Sequence, residues 1–139
     1  MSGMTSPRTS RAAIRPLDAW YAVVLSLLIT HEVEAAYWRE WEMFQLPGGF
    51  RLFAALHLPL AAAFLAGFAE VVRDRPLGRP AAAILAVAGA ATPVIHGAFL
   101  LLGRDQFRDA FSLLVLAALG AASVCLGMAL RRAAPAGSR

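Results

Sequence analysis

The chain has 139 residues, 59% of them hydrophobic and only 16% charged, with a formal charge of +4. That length suits one domain, but the composition lies far from that of a soluble protein. The cations stand at the ends of apolar blocks instead of forming one stripe, which argues against nucleic acid as a partner.

All thirteen cationic residues are Arg and none is Lys, and Ala is abundant, a composition that points to a GC-rich bacterial genome. The single Cys125 lies inside an apolar run, so there is no disulfide framework and no cysteine-based zinc site. It reads as a small buried hydrophobe. Residues 1–15, rich in Ser, Thr and Arg, resemble the basic start of a signal sequence. No small-residue cleavage site follows, so they are expected to form a short disordered cytoplasmic tail.

The expected fold is an all-α integral membrane domain over 16–132 with spans at about 17–38, 50–72, 80–102 and 109–130, and a second cytoplasmic tail at 133–139. Each apolar block is long enough to cross, at about 1.5 Å per residue against about 30 Å of hydrocarbon. Pro16 suits a first helical turn, with Asp18 just behind it. The uninterrupted apolar part of the first span, Ala19 to Thr30, is only twelve residues, which places His31, Glu32 and Glu34 within the membrane or at its outer boundary. The Leu46-Pro47-Gly48-Gly49 stretch stops any continuation of that helix.

Nine arginines (8, 11, 15, 73, 75, 79, 131, 132 and 139) fall on one side of these spans and four (39, 51, 104 and 108) on the other. The positive-inside rule places both termini in the cytoplasm, and the short connections make an up-down-up-down four-helix bundle. Trp38 and Trp41 then lie in an outer interfacial belt, and Arg39, Glu40, Glu42 and Arg51 read as solvated loop charges. On the fourth span Asp109, Ser112, Leu116, Gly120, Ser123 and Gly127 recur every three or four residues, a stripe suited to close helix contact.

The three histidines stand at one depth. From Arg15 to His31 is sixteen steps, from Arg73 back to His57 sixteen, and from Arg79 to His96 seventeen. At about 1.5 Å per step all lie roughly 24 to 26 Å from the cytoplasmic edge, in the outer leaflet, and are expected within about 10 Å of one another. Glu34 shares a helical face with His31, whereas Glu32 points about 100° away, toward a neighbouring helix or the headgroups. Ionisable groups inside a span are costly and usually mark a working site.

His31, His57, His96 and Glu34 make the ligand set that zinc, iron or another late divalent metal prefers, and the fourth coordination position, if left to water, would give a catalytic centre. Glu32, Glu34 and Asp109 are the candidate acid-base groups, in the second shell or on substrate. Haem fits less well, because its axial ligands must oppose across the macrocycle and a third histidine then needs another task. Pro59 and Pro93 each remove an amide hydrogen near the histidine level, which suggests a hydrated cavity.

The segment Thr30-His31-Glu32-Val33-Glu34-Ala35 followed by Glu40-Trp41, then Leu56-His57-Leu58-Pro59-Leu60 and Ile95-His96-Gly97-Ala98-Phe99, resembles an uncharacterised family of small bacterial four-helix membrane proteins. Its members carry a Thr-His-Glu-Leu-Asp-Ala type motif, a His-x-Pro and a third-helix histidine. Glu34 stands where that motif has Asp. The resemblance implies the architecture and the matching positions His31, Glu32, Glu34, His57 and His96, but no reaction.

Three functions compete. One is a metal-dependent enzyme acting on a lipid or isoprenoid-like substrate that enters from the outer leaflet. The second is a non-enzymatic metal- or haem-binding protein or accessory subunit, in a homo-oligomer or larger complex of a bacterial inner membrane. The third is a metal-free acid-base lipid isomerase, an analogy of architecture alone. No Gly-rich phosphate loop, nucleophile elbow or His-Glu-x-x-His pair is present, which disfavours nucleotide chemistry and serine hydrolysis.

Overall fold

The computed structural model describes residues 14–133, so the expected tails lie outside the described residues apart from their innermost positions. The fold is all-α. Its helices are α1 (Pro16–Tyr37), α2 (Glu40–Met43), α3 (Gly49–Val72), α4 (Gly78–Leu101) and α5 (Ala110–Arg132). All but α2 are long and apolar enough to cross a membrane. Among these four, α1 has the lowest mean hydropathy, 1.2, because it carries His31, Glu32 and Glu34. The short α2 is not signalled by any apolar periodicity.

Local chemistry sets the helix ends. Pro16 opens α1, where its missing amide hydrogen costs nothing. Arg15, just before it, holds Asp18 through two hydrogen bonds, Nε to Oδ2 at 3.0 Å and Nη2 to Oδ1 at 2.8 Å. That pairing pushes the Arg15 guanidinium above its ordinary range. Asp109 caps α5 by accepting from the amides of Phe111 and Ser112 at 2.9 and 3.1 Å. Arg131 and Arg132 occupy the last turn of α5, where cations suit the helix dipole. Gly48, at φ +89°, reverses the chain between α2 and α3.

α5 packs on α4 and α1, and α3 packs on α4 and α1. The main core is formed by buried Tyr21, Val24, Leu85, Leu119 and Leu126, among others. Tyr21 donates its phenol hydrogen to the Phe64 carbonyl at 2.9 Å, tying α1 to α3. Gly89 lets α4 approach two neighbours at once. A Cβ there would lie 3.1 Å from Val24 Cγ1 and 3.2 Å from Leu119 Cδ1, and would collide with Ser123 Oγ.

Of the expected α5 stripe, Ser112, Leu116 and Ser123 are buried and Gly120 faces Pro93, while Asp109 is exposed. Pro59 and Pro93 lie inside α3 and α4, which continue as helix through both positions. Outward faces carry Leu58, Val87, Val94 and Leu114, an apolar surface suited to lipid.

Polar contacts join the helices at both ends. Arg15 donates to the Val71 carbonyl and pairs with Asp74 at 2.9 Å, linking the start of α1 to the end of α3. Arg79 donates to the Ala133 carbonyl at 2.8 Å, linking the start of α4 to the end of α5. At the other end stand the histidines.

Candidate metal centre

His31 and His96 meet inside the protein with ring centroids 4.7 Å apart and rings nearly perpendicular. They are 2% and 3% exposed, which means that any partner for their nitrogens must come from the protein or from a bound ion. Glu40, itself only 7% exposed, brings its Oε1 to 3.4 Å from His96 Nε2. One ligand atom from each of His31, Glu40 and His96 lies within 4.8 Å of the others, so this buried group could hold a metal ion.

Glu40 was expected among the solvated loop charges, and its burial corrects that reading. The turn responsible is Arg39, whose left-handed φ of +57° ends the path of α1 and starts α2. α2 then presents Glu40 and Met43 inward, three residues apart on one face. Arg39 pairs with Glu42 along the same short helix. Two sequence signals were available: the place of Glu40-Trp41 in the family resemblance, and this i to i+3 pairing, which uses Arg39 and Glu42 and leaves Glu40 aside.

The proton inventory of His96 favours coordination. Its Nδ1 lies 2.9 Å from the Thr92 carbonyl, which can only accept, so Nδ1 carries a hydrogen and in the neutral ring Nε2 offers its lone pair. This is the usual arrangement of a ligand histidine, oriented through its other nitrogen. Buried His31 Nδ1 and His96 Nε2 have no hydrogen-bond partner. Phe107, fully buried and held at φ +65°, packs against both imidazoles at 5.4 and 4.6 Å and covers the centre. Phe107 lies just before the fourth expected span, at about 109–130, where nothing in the sequence marks it as part of a site.

His57 belongs to a neighbouring pair. Its Nε2 lies 3.0 Å from Glu32 Oε2, its Nδ1 donates to the Phe53 carbonyl at 2.7 Å, and its ring stacks on Phe53 at 4.0 Å. The pair is about 30% exposed on both sides, at 30% for His57 and 29% for Glu32. Glu32 therefore faces a neighbouring helix, one of the two directions anticipated for it.

Glu34 is also buried, and its Oε1 lies 2.6 Å from Ser112 Oγ on α5. Ser112 Oγ is equally 2.6 Å from Asp109 Oδ2. Asp109 remains exposed, and the hydrogen bonds from Ser112 and Phe111 hold its carboxyl below the ordinary range. Trp38 and Trp41 are partly buried against a second apolar cluster that includes Met43, Phe53 and Phe107, directly around the centre.

No curated protein and no solved structure matches the chain. Residues 17–133 match a family of unknown function (DUF6713), and the chain belongs to that family.

Proposed function

We propose that this multi-pass membrane protein binds one divalent transition-metal ion, zinc or iron, through His31, Glu40 and His96. One observation carries the reading. His96 Nε2, with its ring hydrogen already committed to Thr92, faces a Glu40 carboxylate oxygen at 3.4 Å in a buried setting. Two electron-rich atoms face each other stably only with a cation between them, either a proton or a metal. His31 supplies the third donor that makes a metal the better occupant. The Glu32–His57 pair, 3.0 Å apart, shows a similar opposition without a third donor.

Three protein ligands leave a tetrahedral ion one open position, the arrangement of catalytic zinc sites. A metal-dependent activity on a lipid or isoprenoid-like substrate is supported by an apolar groove of about 790 Å³ between α4 and α5. It is lined by Pro93, Gly97 and Leu113, borders the residue after His96, and has Arg108 among its lining residues as a cation for an anionic headgroup. The nine-to-four arginine split supports an up-down-up-down bundle with both termini in the cytoplasm of a bacterial cell and the centre toward the outer leaflet.

The test is metal analysis of protein purified in mild detergent, wild type beside His96→Ala and Glu40→Gln. The expected result is about one zinc or iron per chain in wild type and a large loss in both variants. Wild type that takes up no stoichiometric metal from buffered zinc or iron would overturn the reading and favour the metal-free acid-base alternative. Stoichiometric haem would favour the haem-binding one.

A further inference from the structure

We infer that Glu32 and His57 form a second metal site, separate from the buried centre, for a hydrated and readily exchanged divalent ion of the iron or manganese type. His57 is prepared as a ligand in the same way as His96. Its Nδ1 donates to the Phe53 carbonyl at 2.7 Å, so in the neutral ring Nε2 offers its lone pair, and stacking on Phe53 at 4.0 Å holds the ring in place. The Nε2 atom lies 3.0 Å from Glu32 Oε2.

The two atoms are close without forming a hydrogen bond. Glu32 Oε2 is buried and has no hydrogen-bond partner, although Nε2 stands within reach of it. A hydrogen shared between two atoms favours a straight approach, whereas two ligands of one ion meet at an angle, with the ion off the line that joins them. Among the described residues the arginine–carboxylate pairs engage Asp18, Asp74, Glu42, Glu70 and Asp105, and Glu32 pairs with His57 instead.

Distance and exposure set this site apart from the buried one. With metal bonds of about 2.1 Å, ligand atoms 3.4 Å apart, as at His96 and Glu40, subtend about 110° at an ion, the tetrahedral angle. Ligand atoms 3.0 Å apart, as at His57 and Glu32, subtend about 90°, the angle of six-coordinate ions that keep several waters. Water can reach them. His57 and Glu32 are 30% and 29% exposed, and they lie five residues from the end of α1 and eight from the start of α3, or about 8 to 12 Å from those ends. Two protein donors with water hold an ion less tightly than three buried donors do, so this ion is expected to leave during purification and to return when supplied. The site uses its own donors and does not depend on the buried centre.

The experiment is equilibrium dialysis of full-length protein in detergent against cobalt(II), read by metal content and visible absorption. Tetrahedral cobalt(II) absorbs far more strongly than six-coordinate cobalt(II), so the two sites are counted separately. Wild type should take up about two ions per chain, about one of them with the intense tetrahedral band and the other weakly absorbing and removed by brief desalting. His57→Ala should lose the weakly absorbing ion and keep the intense band, which also shows that the variant is folded. Glu32→Gln should do the same.

Wild type that saturates with the tetrahedral ion alone would overturn the second site. If His57→Ala loses the intense band, Glu32→Gln decides: loss of the band there too would overturn the separate site by placing both residues in the buried centre, whereas loss of the weakly absorbing ion alone would uphold it. Wild type that binds only a weakly absorbing ion, absent in Glu32→Gln, would leave the second site standing and count against the metal reading of His31, Glu40 and His96.

Discussion

Removing one ligand of the centre should do more than lower metal content, because a bound ion stabilises only the folded protein. His31 Nδ1 and His96 Nε2 are buried without partners, and each such atom costs about 1–3 kcal/mol. An ion that satisfies both recovers about 2–6 kcal/mol, against about 2.7 kcal/mol expected by mass action at a free metal concentration near a hundred times Kd. Chelation should therefore lower the melting temperature of zinc-loaded wild type by the equivalent of about 2.7 kcal/mol. His96→Ala should melt lower than zinc-loaded wild type and be indifferent to chelator.

His57→Ala provides the contrast. It breaks the Glu32 pair and should cost about 1–3 kcal/mol, yet the three ligands remain, so its melting curve should still respond to chelator. The assay is thermal unfolding in detergent of wild type, His96→Ala and His57→Ala, each with zinc or with chelator. Wild type that melts identically in both conditions would refute the linkage argument. A chelator-insensitive His57→Ala would instead move the ligand set to include His57.

The exposed cap should show a pH signature. Asp109 is held below the ordinary carboxylate range by Ser112 and Phe111, so its contribution is present above the unfolded-state pKa and is lost as pH falls through the depressed folded value. Melting of wild type minus Asp109→Asn should shrink toward zero in acid, and a difference that grows on acidification would contradict the assignment. Gly89→Ala places a methyl group against Val24, Leu119 and Ser123 and should destabilise by about 1–3 kcal/mol, read from the same melting assay. A reporter fused after Arg139 should be active only when suited to the cytoplasm; periplasmic activity would reverse the proposed orientation.

The long helices were legible because crossing a membrane is a local property. Twenty or so apolar residues closed by Pro16, the Gly48 region or the Arg131-Arg132 pair specify a span wherever they occur. The shared level of His31 and His96 was legible for a related reason, since rise per residue converts sequence distance into depth. Depth alone does not select partners. Rotation about each helix axis directed His31 and His96 toward each other, and turned His57 to Glu32 and Glu34 to Ser112.

Composition and periodicity, then, were enough to determine an all-α chain with four membrane-length helices and polar groups set within them, because each of those properties depends on neighbours in sequence. The third donor of the centre depended on the tertiary structure. Glu40 reaches His96 only because a single left-handed residue, Arg39, redirects the chain after α1, and because α2 is too short to announce itself by periodicity. A backbone reversal at one residue leaves almost no trace in composition, and the carboxylate it carries inward is distinguished from a surface charge only by the helices that close around it.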